Sequence, residues 1–212
     1  MTIEREIKYF FPLSESKKLK SDLQIFKYVH TTHEMTLMFD NPNPDFSFYD
    51  KNVDGRLRLR ITEHLDGNDK NKTAGLLSWK QRIPDHALSN IRHEHEVECH
   101  ISGDESENMK VILRDILKCP LISSYERERS QYRTDGLKIT LDKFPFGLML
   151  EIECEDETVD YSEIGKVLKK LNLKEEDSSH FSCDDMYKHL CTTQGKQIKD
   201  HILFSDKDIP LL

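Results

Sequence analysis

Charged residues recur at every second position in several segments of the sequence, which is the spacing that puts side chains on one face of a β-strand. The segment "MTIEREIKYFF" carries Glu4, Glu6 and Lys8 in this way, and "GRLRLRI" carries three arginines at the same spacing: Arg56, Arg58 and Arg60. Basic side chains that converge from several strands suit an anion with many oxygens, because guanidinium groups match phosphate oxygens in bidentate contacts. Phosphate is therefore the ligand that this pattern favours.

Five further segments repeat the alternation and mix basic with acidic residues. Their charged faces are Lys80 and Arg82 in "LLSWKQR", Arg92, Glu94, Glu96 and Glu98 in "IRHEHEVEC", Arg127 and Arg129 in "ERERSQYR", Lys138 and Asp142 in "LKITLDKF", and Glu151, Glu153 and Glu155 in "LMLEIECE". Carboxylates would repel a polyphosphate unless a divalent cation lay between them, and Mg²⁺ or Mn²⁺ is commonly held by carboxylates together with phosphate oxygens. A metal-bound polyphosphate explains both signs of charge, and internal ion pairing without a ligand is the alternative.

Each of these seven segments would have one strongly apolar face and one strongly charged face as a β-strand. Like charges on neighbouring strands destabilise a sheet, so seven charged faces turned outward would make a poor surface. A closed or nearly closed antiparallel β-barrel removes the conflict, because basic and acidic strands then balance across a wet lumen and the sheet has no free edges. We predict an α+β fold in which amphipathic helices cover the apolar outside of a barrel with a charged lumen.

Several segments have the helical periodicity of amphipathic helices that could cover the outside of the barrel. A helix capped by Ser102 or Asp104 carries an apolar stripe that includes Leu113, a second helix follows Asp160, and a third is predicted from Ser14 to Phe26. The segment "SCDDMYKHLC" predicts a short fourth helix, and the chain beyond Gln194 has the pattern of a polar, weakly specified tail. We therefore expect a single domain over 1–194 and a C-terminal tail over 195–212.

Composition narrows the class of protein. The formal net charge of the 212 residues is −8, which argues against broad binding to nucleic acid or to anionic membranes. Apolar runs fall short of the roughly 20 residues that span a bilayer, and the acidic, strand-like start differs from a signal peptide. The five cysteines are scattered and form no C-x-x-C pair, so they predict neither a disulfide framework nor a zinc site. The expectation is a cytoplasmic protein with a small-molecule partner.

The motifs, taken in order, resemble those of the CYTH superfamily, also called the triphosphate tunnel metalloenzymes. The segment "EREIK" fits the E-x-E-x-K signature of that superfamily, and "LRLR", "SWK", "RHEHE", "RERSQY" and "LDKFPFGLMLEIE" are similar to its later strand motifs along nearly the whole chain. The resemblance implies an antiparallel eight-stranded tunnel with a charged lumen. Within the superfamily the chain looks most similar to the plant-type inorganic tripolyphosphatases, through its "EIECE" ending and its acidic "CDDMYK" segment.

The resemblance also implies roles for individual residues. It implies triphosphate binding by seven basic residues: Lys8, Arg56, Arg58, Arg60, Lys80, Arg127 and Arg129. It implies binding of Mg²⁺ or Mn²⁺ by four carboxylates: Glu6, Asp142, Glu151 and Glu153. Glu4 is expected to orient or deprotonate the attacking water, with Lys8 beside it in the catalytic group. Glu94 and Glu96 are expected to support either a second metal ion or the balance of charge.

Four functions stay open at this point. The expected one is a metal-dependent triphosphatase that cleaves the terminal phosphoanhydride of tripolyphosphate or a nucleoside triphosphate, chiefly by positioning and by cationic stabilisation. A class IV adenylate cyclase would use the same tunnel to make cyclic AMP and pyrophosphate from ATP. A thiamine triphosphatase is disfavoured, because Arg56 stands where the animal enzymes carry a stacking tryptophan. A non-catalytic polyphosphate or nucleotide sensor is disfavoured by the intact acidic set, which includes Glu4.

Overall fold

Nine β-strands form the body of the protein. The structure is a computed structural model that describes residues 2–50, 53–82, 92–155 and 158–212, with the backbone alone for 2–4 and 92–94. The strands are β1 (Thr2–Phe11), β2 (Lys27–Phe39), β3 (Gly55–His64), β4 (Thr73–Arg82), β5 (Arg92–Ser102), β6 (Leu121–Thr134), β7 (Leu137–Phe144), β8 (Gly147–Cys154) and β9 (His201–Ile202). Each of the seven alternating segments of the sequence provides one of these strands.

The strands run in the order β2-β3-β4-β5-β1-β8-β7-β6-β9, and β2 also pairs with β6. That second pairing extends from Lys27 opposite Arg133 to Phe39 opposite Leu121, so the sheet curves round until β2 and β6 are neighbours. Among the described strands the pairings are antiparallel, apart from β9, which lies parallel to β6. The α+β class and the antiparallel, barrel-like sheet agree with the prediction, whereas β9 was not predicted.

Four α-helices pack around the sheet in the described residues: α1 (Ser16–Asp22), α2 (Gly103–Val111), α3 (Ser162–Leu171) and α4 (Cys183–Thr193). The helix α2 begins with a capping box, in which the Ser102 hydroxyl accepts from the amide of Glu105 and the Glu105 carboxylate accepts from the amide of Ser102. The helix α4 begins in the same way with Ser182 and Asp185. The helix predicted from Ser14 to Phe26 is shorter than expected, because 3₁₀ turns flank α1 and Glu15 occupies its N-cap. In the described part of the chain, no helix is both long and apolar enough to cross a membrane.

The main hydrophobic core lies between the outer face of the sheet and two of the helices. Ile7 of β1, Ile139 of β7 and Ile152 of β8 are fully buried there, together with Ile164 and Leu168 of α3. These strand residues occupy the positions that alternate with the charged ones, so the burial of one face fixes the direction of the other. The charged residues that alternate with them, such as Glu6, Lys138 and Glu153, consequently point to the inside of the curved sheet.

The segment after Gln194 is better specified than we predicted. Ile202 of β9 and Ile209 are buried in a second core cluster beside α4. The amide of Leu212 donates to the carbonyl oxygen of Phe146 at 3.0 Å, which ties this segment to the turn between β7 and β8. Its apolar residues are too few and too irregularly spaced to give a periodic signal, and only the packing partners show that they are buried.

The strand register places many unlike charges opposite each other on the inner face. The unlike pairs are Lys8 with Glu151, Lys138 with Glu153, Lys80 with Glu96, Glu34 with Arg127, and Arg129 with Asp142. Opposite charges at facing positions stabilise a sheet, whereas like charges destabilise it, as where Glu6 faces Glu153 and Arg56 faces Lys80. Part of the balance of charge that we expected across the lumen is therefore established between neighbouring strands.

Candidate functional site

A cavity of about 110 Å³ lies within the curved sheet and is lined mainly by charged side chains. Eleven of the predicted site residues line it: Glu6, Lys8, Arg56, Arg58, Arg60, Lys80, Glu96, Arg127, Arg129, Glu151 and Glu153. The side chains of Glu4 and Glu94 lie outside the described part of the structure, although the backbone register sets these two residues opposite each other on β1 and β5. The roles predicted for Glu4 and Glu94 therefore stay predictions.

Three of the lining carboxylates form a compact acidic group. Glu6, Glu151 and Glu153 are buried, and each offers an oxygen that lies within 4.8 Å of the oxygens of the other two. Two unit charges 4.8 Å apart repel by about 3.5 kcal/mol at an effective dielectric constant of about 20. The group is therefore stable only beside compensating cations. Three hard oxygen donors at this separation fit Mg²⁺ or Mn²⁺, which prefer carboxylate ligands.

Two lysines provide positive charge next to the acidic group. The Lys8 ammonium forms an ion pair with Glu6 and lies 3.4 Å from an oxygen of Glu151. The Lys138 ammonium lies 2.6 Å from an oxygen of Glu153. Each of the three carboxylates thus has a lysine within ion-pair distance.

A second network of charges orients the arginines of β6. Arg129 donates two hydrogen bonds to Asp142, at 2.6 and 2.7 Å, and Arg127 donates to the same carboxylate at 2.9 Å. Arg127 also donates to Glu34 at 2.7 Å, and the Nε atom of Arg60 lies 3.5 Å from Glu34. Because two buried carboxylates hold them, the two guanidinium groups of β6 are fixed before any ligand binds.

The position of Asp142 differs from the one predicted for a metal ligand. Its side chain is fully buried beneath Arg127 and Arg129, and both of its oxygens accept hydrogen bonds from them. It belongs neither to the acidic group nor to the residues that line the cavity. The structure therefore favours a positioning role, in which Asp142 orients the arginines.

Burial and nearby cations act in opposite directions on the inner carboxylates. Burial alone would raise the pKa of Glu151, but Lys8 and Arg129 outweigh it and hold that pKa well below its usual value of 4.5. The pKa of Glu34 is lowered in the same way, since Arg127 and Arg60 outweigh its burial. Both residues are consequently charged at neutral pH in the folded protein.

These lowered pKa values predict a loss of stability in acid. A carboxylate with a lower pKa in the folded than in the unfolded state stabilises the fold above the unfolded pKa, and this contribution is lost as the pH falls. Below pH 4.5 we therefore expect the free energy of unfolding to decrease by roughly 1 kcal/mol per pH unit for each of Glu34 and Glu151. Urea unfolding between about pH 5 and pH 3 measures this slope. The variant Glu34→Gln should show a shallower slope, and an unchanged slope would contradict the assignment.

Sequence reasoning missed several residues at the site. Glu34 of β2 was overlooked because its neighbours at alternate positions, Thr32 and Thr36, are uncharged. Lys138 was placed on the charged face of its segment but received no role. Other cavity-lining residues come from the start of α4, and their place follows from helix packing and not from strand alternation: Ser182, Cys183 and Asp184. Burial raises the pKa of Asp184, although Arg56 is nearby and opposes the shift.

No protein-family model matches the chain, and no curated protein sequence matches it either. Solved structures do match it in fold. The PH1819 protein from Pyrococcus horikoshii OT3 is 20% identical, with a TM-score of 0.65, and the match covers 88% of this chain and 98% of that one. An adenylate cyclase candidate from Vibrio parahaemolyticus is 17% identical, with a TM-score of 0.59 and the same coverage of 88% and 98%.

A third similar structure comes with a reported activity. The HpAC1 protein from Hippeastrum, an adenylyl cyclase candidate with a dominant triphosphatase activity, is 20% identical over 93% of this chain and 98% of that one, with a TM-score of 0.59. At such low identity the likeness establishes the fold, and a fold by itself does not fix a function. The chain thus shares the fold of these proteins over most of its length.

Proposed function

We propose that the protein is a divalent-metal-dependent triphosphatase of the triphosphate tunnel type, which hydrolyses the terminal phosphoanhydride of tripolyphosphate or another triphosphate. The observation that carries this proposal is the cavity in which a buried acidic group, Glu6 with Glu151 and Glu153, faces a set of basic residues. Carboxylates for a hard cation and guanidinium groups for phosphate oxygens are the two parts that phosphoryl transfer requires. The dominant triphosphatase activity reported for HpAC1 is consistent with it.

The basic residues would bind the phosphate chain and stabilise the charge that develops during transfer. Arg58, Arg60 and Lys80 line the cavity from β3 and β4, and Arg127 and Arg129 line it from β6. The β6 guanidinium groups are already held by Glu34 and Asp142, so they need little reorganisation when the substrate binds. Preorganised donors of this kind lower the barrier more than mobile ones do.

The acidic residues would hold the metal and act on the water. Glu6, Glu151 and Glu153 are the residues that would bind Mg²⁺ or Mn²⁺, which would neutralise phosphate charge as a Lewis acid. Glu4 lies two residues before Glu6 on β1, and we propose it as the group that orients or deprotonates the attacking water. The products would be orthophosphate and a diphosphate.

The surroundings of the tryptophan bear on the thiamine triphosphate alternative. Trp79, the single tryptophan of the chain, packs edge-to-face on Phe48 with the ring centroids 5.2 Å apart. It is absent from the lining of the cavity, where Arg56 and Lys80 are found. The indole is thus engaged in packing and lies apart from the residues proposed to bind the substrate.

Product analysis tests the proposed function. The protein is incubated with Mg²⁺ or Mn²⁺ and either tripolyphosphate or ATP, and ³¹P NMR identifies the products. We expect orthophosphate with diphosphate from tripolyphosphate, or orthophosphate with ADP from ATP, and no turnover when EDTA removes the metal. Pyrophosphate together with cyclic AMP would instead identify a cyclase. Tight binding without turnover would identify a sensor, and either result would refute the triphosphatase.

A further inference from the structure

Lys138 approaches the acidic group from β7, on the side opposite to Lys8. It faces Glu153 in the register of β7 and β8, and its ammonium nitrogen lies 2.6 Å from a Glu153 oxygen. Its side chain also lines the cavity with the basic residues. Lys138 therefore touches both the proposed metal ligands and the space in which a triphosphate would lie.

The two lysines beside the acidic group differ in exposure. The side chain of Lys8 is 9% exposed, whereas that of Lys138 is 28% exposed. A half-buried lysine keeps freedom at the end of its flexible four-carbon stem, and its ammonium is a point charge that tolerates different oxygen partners. Lys138 can consequently change partners more readily than Lys8.

A divalent cation at the acidic group would compete with Lys138 for Glu153. Both need oxygens of the same buried carboxylate, and the cation brings the larger charge. Once the charge of Glu153 is neutralised by a metal ion, the ion pair with Lys138 weakens, and an anion in the cavity becomes the better partner for the ammonium.

We propose that Lys138 is a further triphosphate-binding residue, which holds Glu153 in the free protein and transfers its ammonium to a phosphate oxygen when metal and triphosphate bind. This inference rests on the proposed function, in that it takes the acidic group as the metal site. The transfer makes the binding of metal and of triphosphate cooperative, because the metal ion releases the Lys138 ammonium, which then binds the phosphate.

The variant Lys138→Met tests the transfer, since it removes the ammonium and keeps an apolar stem of similar length. Mn²⁺ binding to the free protein is measured by electron paramagnetic resonance, and binding of imidotriphosphate, an analogue that resists hydrolysis, by calorimetry with saturating Mn²⁺. We expect Mn²⁺ to bind about tenfold more tightly and imidotriphosphate about tenfold more weakly than in the wild type. These opposite changes distinguish the transfer from a purely structural ion pair, which leaves the affinity for the analogue unchanged.

Two further variants serve as controls. Lys143→Met removes a lysine of the same strand that pairs with Glu128 and lies away from the cavity, so both affinities should stay at the wild-type level. Lys138→Arg keeps the charge, so it should bind imidotriphosphate more tightly than Lys138→Met does. Far-UV circular dichroism and thermal melting establish that each variant is folded.

The possible failures are distinguishable. If Lys138→Met binds Mn²⁺ or imidotriphosphate as the wild type does, the transfer is refuted, whether or not the wild type hydrolyses triphosphates. If the wild type binds both ligands but releases no phosphate, the proposed hydrolysis fails and the transfer is still decided by the variant. A wild type that binds neither ligand refutes both proposals.

Discussion

Replacing Glu151 by glutamine is expected to slow the release of phosphate from a triphosphate by about a hundred- to a thousandfold. Glu151 is buried, belongs to the acidic group and faces Lys8 across β1 and β8. Glutamine has nearly the same shape but no charge, so the group loses one of its three anionic ligands for a hard cation. The initial rate, measured over a range of Mg²⁺ and Mn²⁺ concentrations, separates weaker metal binding from slower chemistry.

The same substitution should lower the free energy of unfolding, because Lys8 and Arg129 stabilise the charged form of Glu151 in the folded protein. The variant should still be folded at neutral pH, where Lys8 keeps its ion pair with Glu6, and far-UV circular dichroism checks this. The matched control is Glu128→Gln, which removes a carboxylate on the other face of β6, where it pairs with Lys143. That variant should retain wild-type activity. A Glu151→Gln variant that works within about tenfold of the wild-type rate would exclude Glu151 from the site.

Replacing Asp142 by alanine is expected to lower the free energy of unfolding by about 3 to 5 kcal/mol. Asp142 is fully buried and accepts hydrogen bonds from Arg127 and Arg129, so its loss leaves two buried guanidinium groups without this carboxylate. A buried charge that loses its partner is costly, because it cannot regain its hydration. Urea unfolding measures the change.

The control for Asp142→Ala is an ion pair of the same length that is exposed to solvent. Asp69 pairs with Lys72 at 2.6 Å, the same distance as the shortest contact between Arg129 and Asp142, but this pair lies in solvent. The variant Asp69→Ala should therefore leave the free energy of unfolding unchanged. Combining Asp142→Leu with Arg129→Met should recover much of the lost stability, because the carboxylate and one of its guanidinium partners are removed together. A loss below about 1 kcal/mol for Asp142→Ala would show that water reaches the arginines.

The alternation of charge along the strands allowed most of the cavity lining to be predicted. Arg58, Arg60 and Glu153 could be assigned because every second residue of their segments is apolar and must be buried. What alternation cannot show is which strand lies beside which. Because β7 lies between β6 and β8, its inner residues can contact either neighbour. Asp142 contacts Arg129 of β6, whereas Lys138 contacts Glu153 of β8, and the sequence of each segment alone does not show this.

Residues that reach the site from outside the alternating strands were the hardest to predict. Asp184 lies at the start of α4 and lines the cavity because the helix packs against the end of the sheet. Glu34 carries the single charge among the inner residues of its stretch of β2, so its segment lacks the massed charge of the others. Their roles depend on tertiary contacts, such as that between Glu34 and Arg127, which no local pattern contains.

The pairing of β2 with β6 joins segments that lie far apart in the sequence. During synthesis, one edge of β2 therefore stays unpaired until β6 has been translated. A bare strand edge invites association with other nascent chains. Glu34 opposes such association, since a foreign strand or a register slip would bury its carboxylate without the cation that Arg127 provides. The carboxylate that orients Arg127 would thereby also protect the growing chain from misassembly.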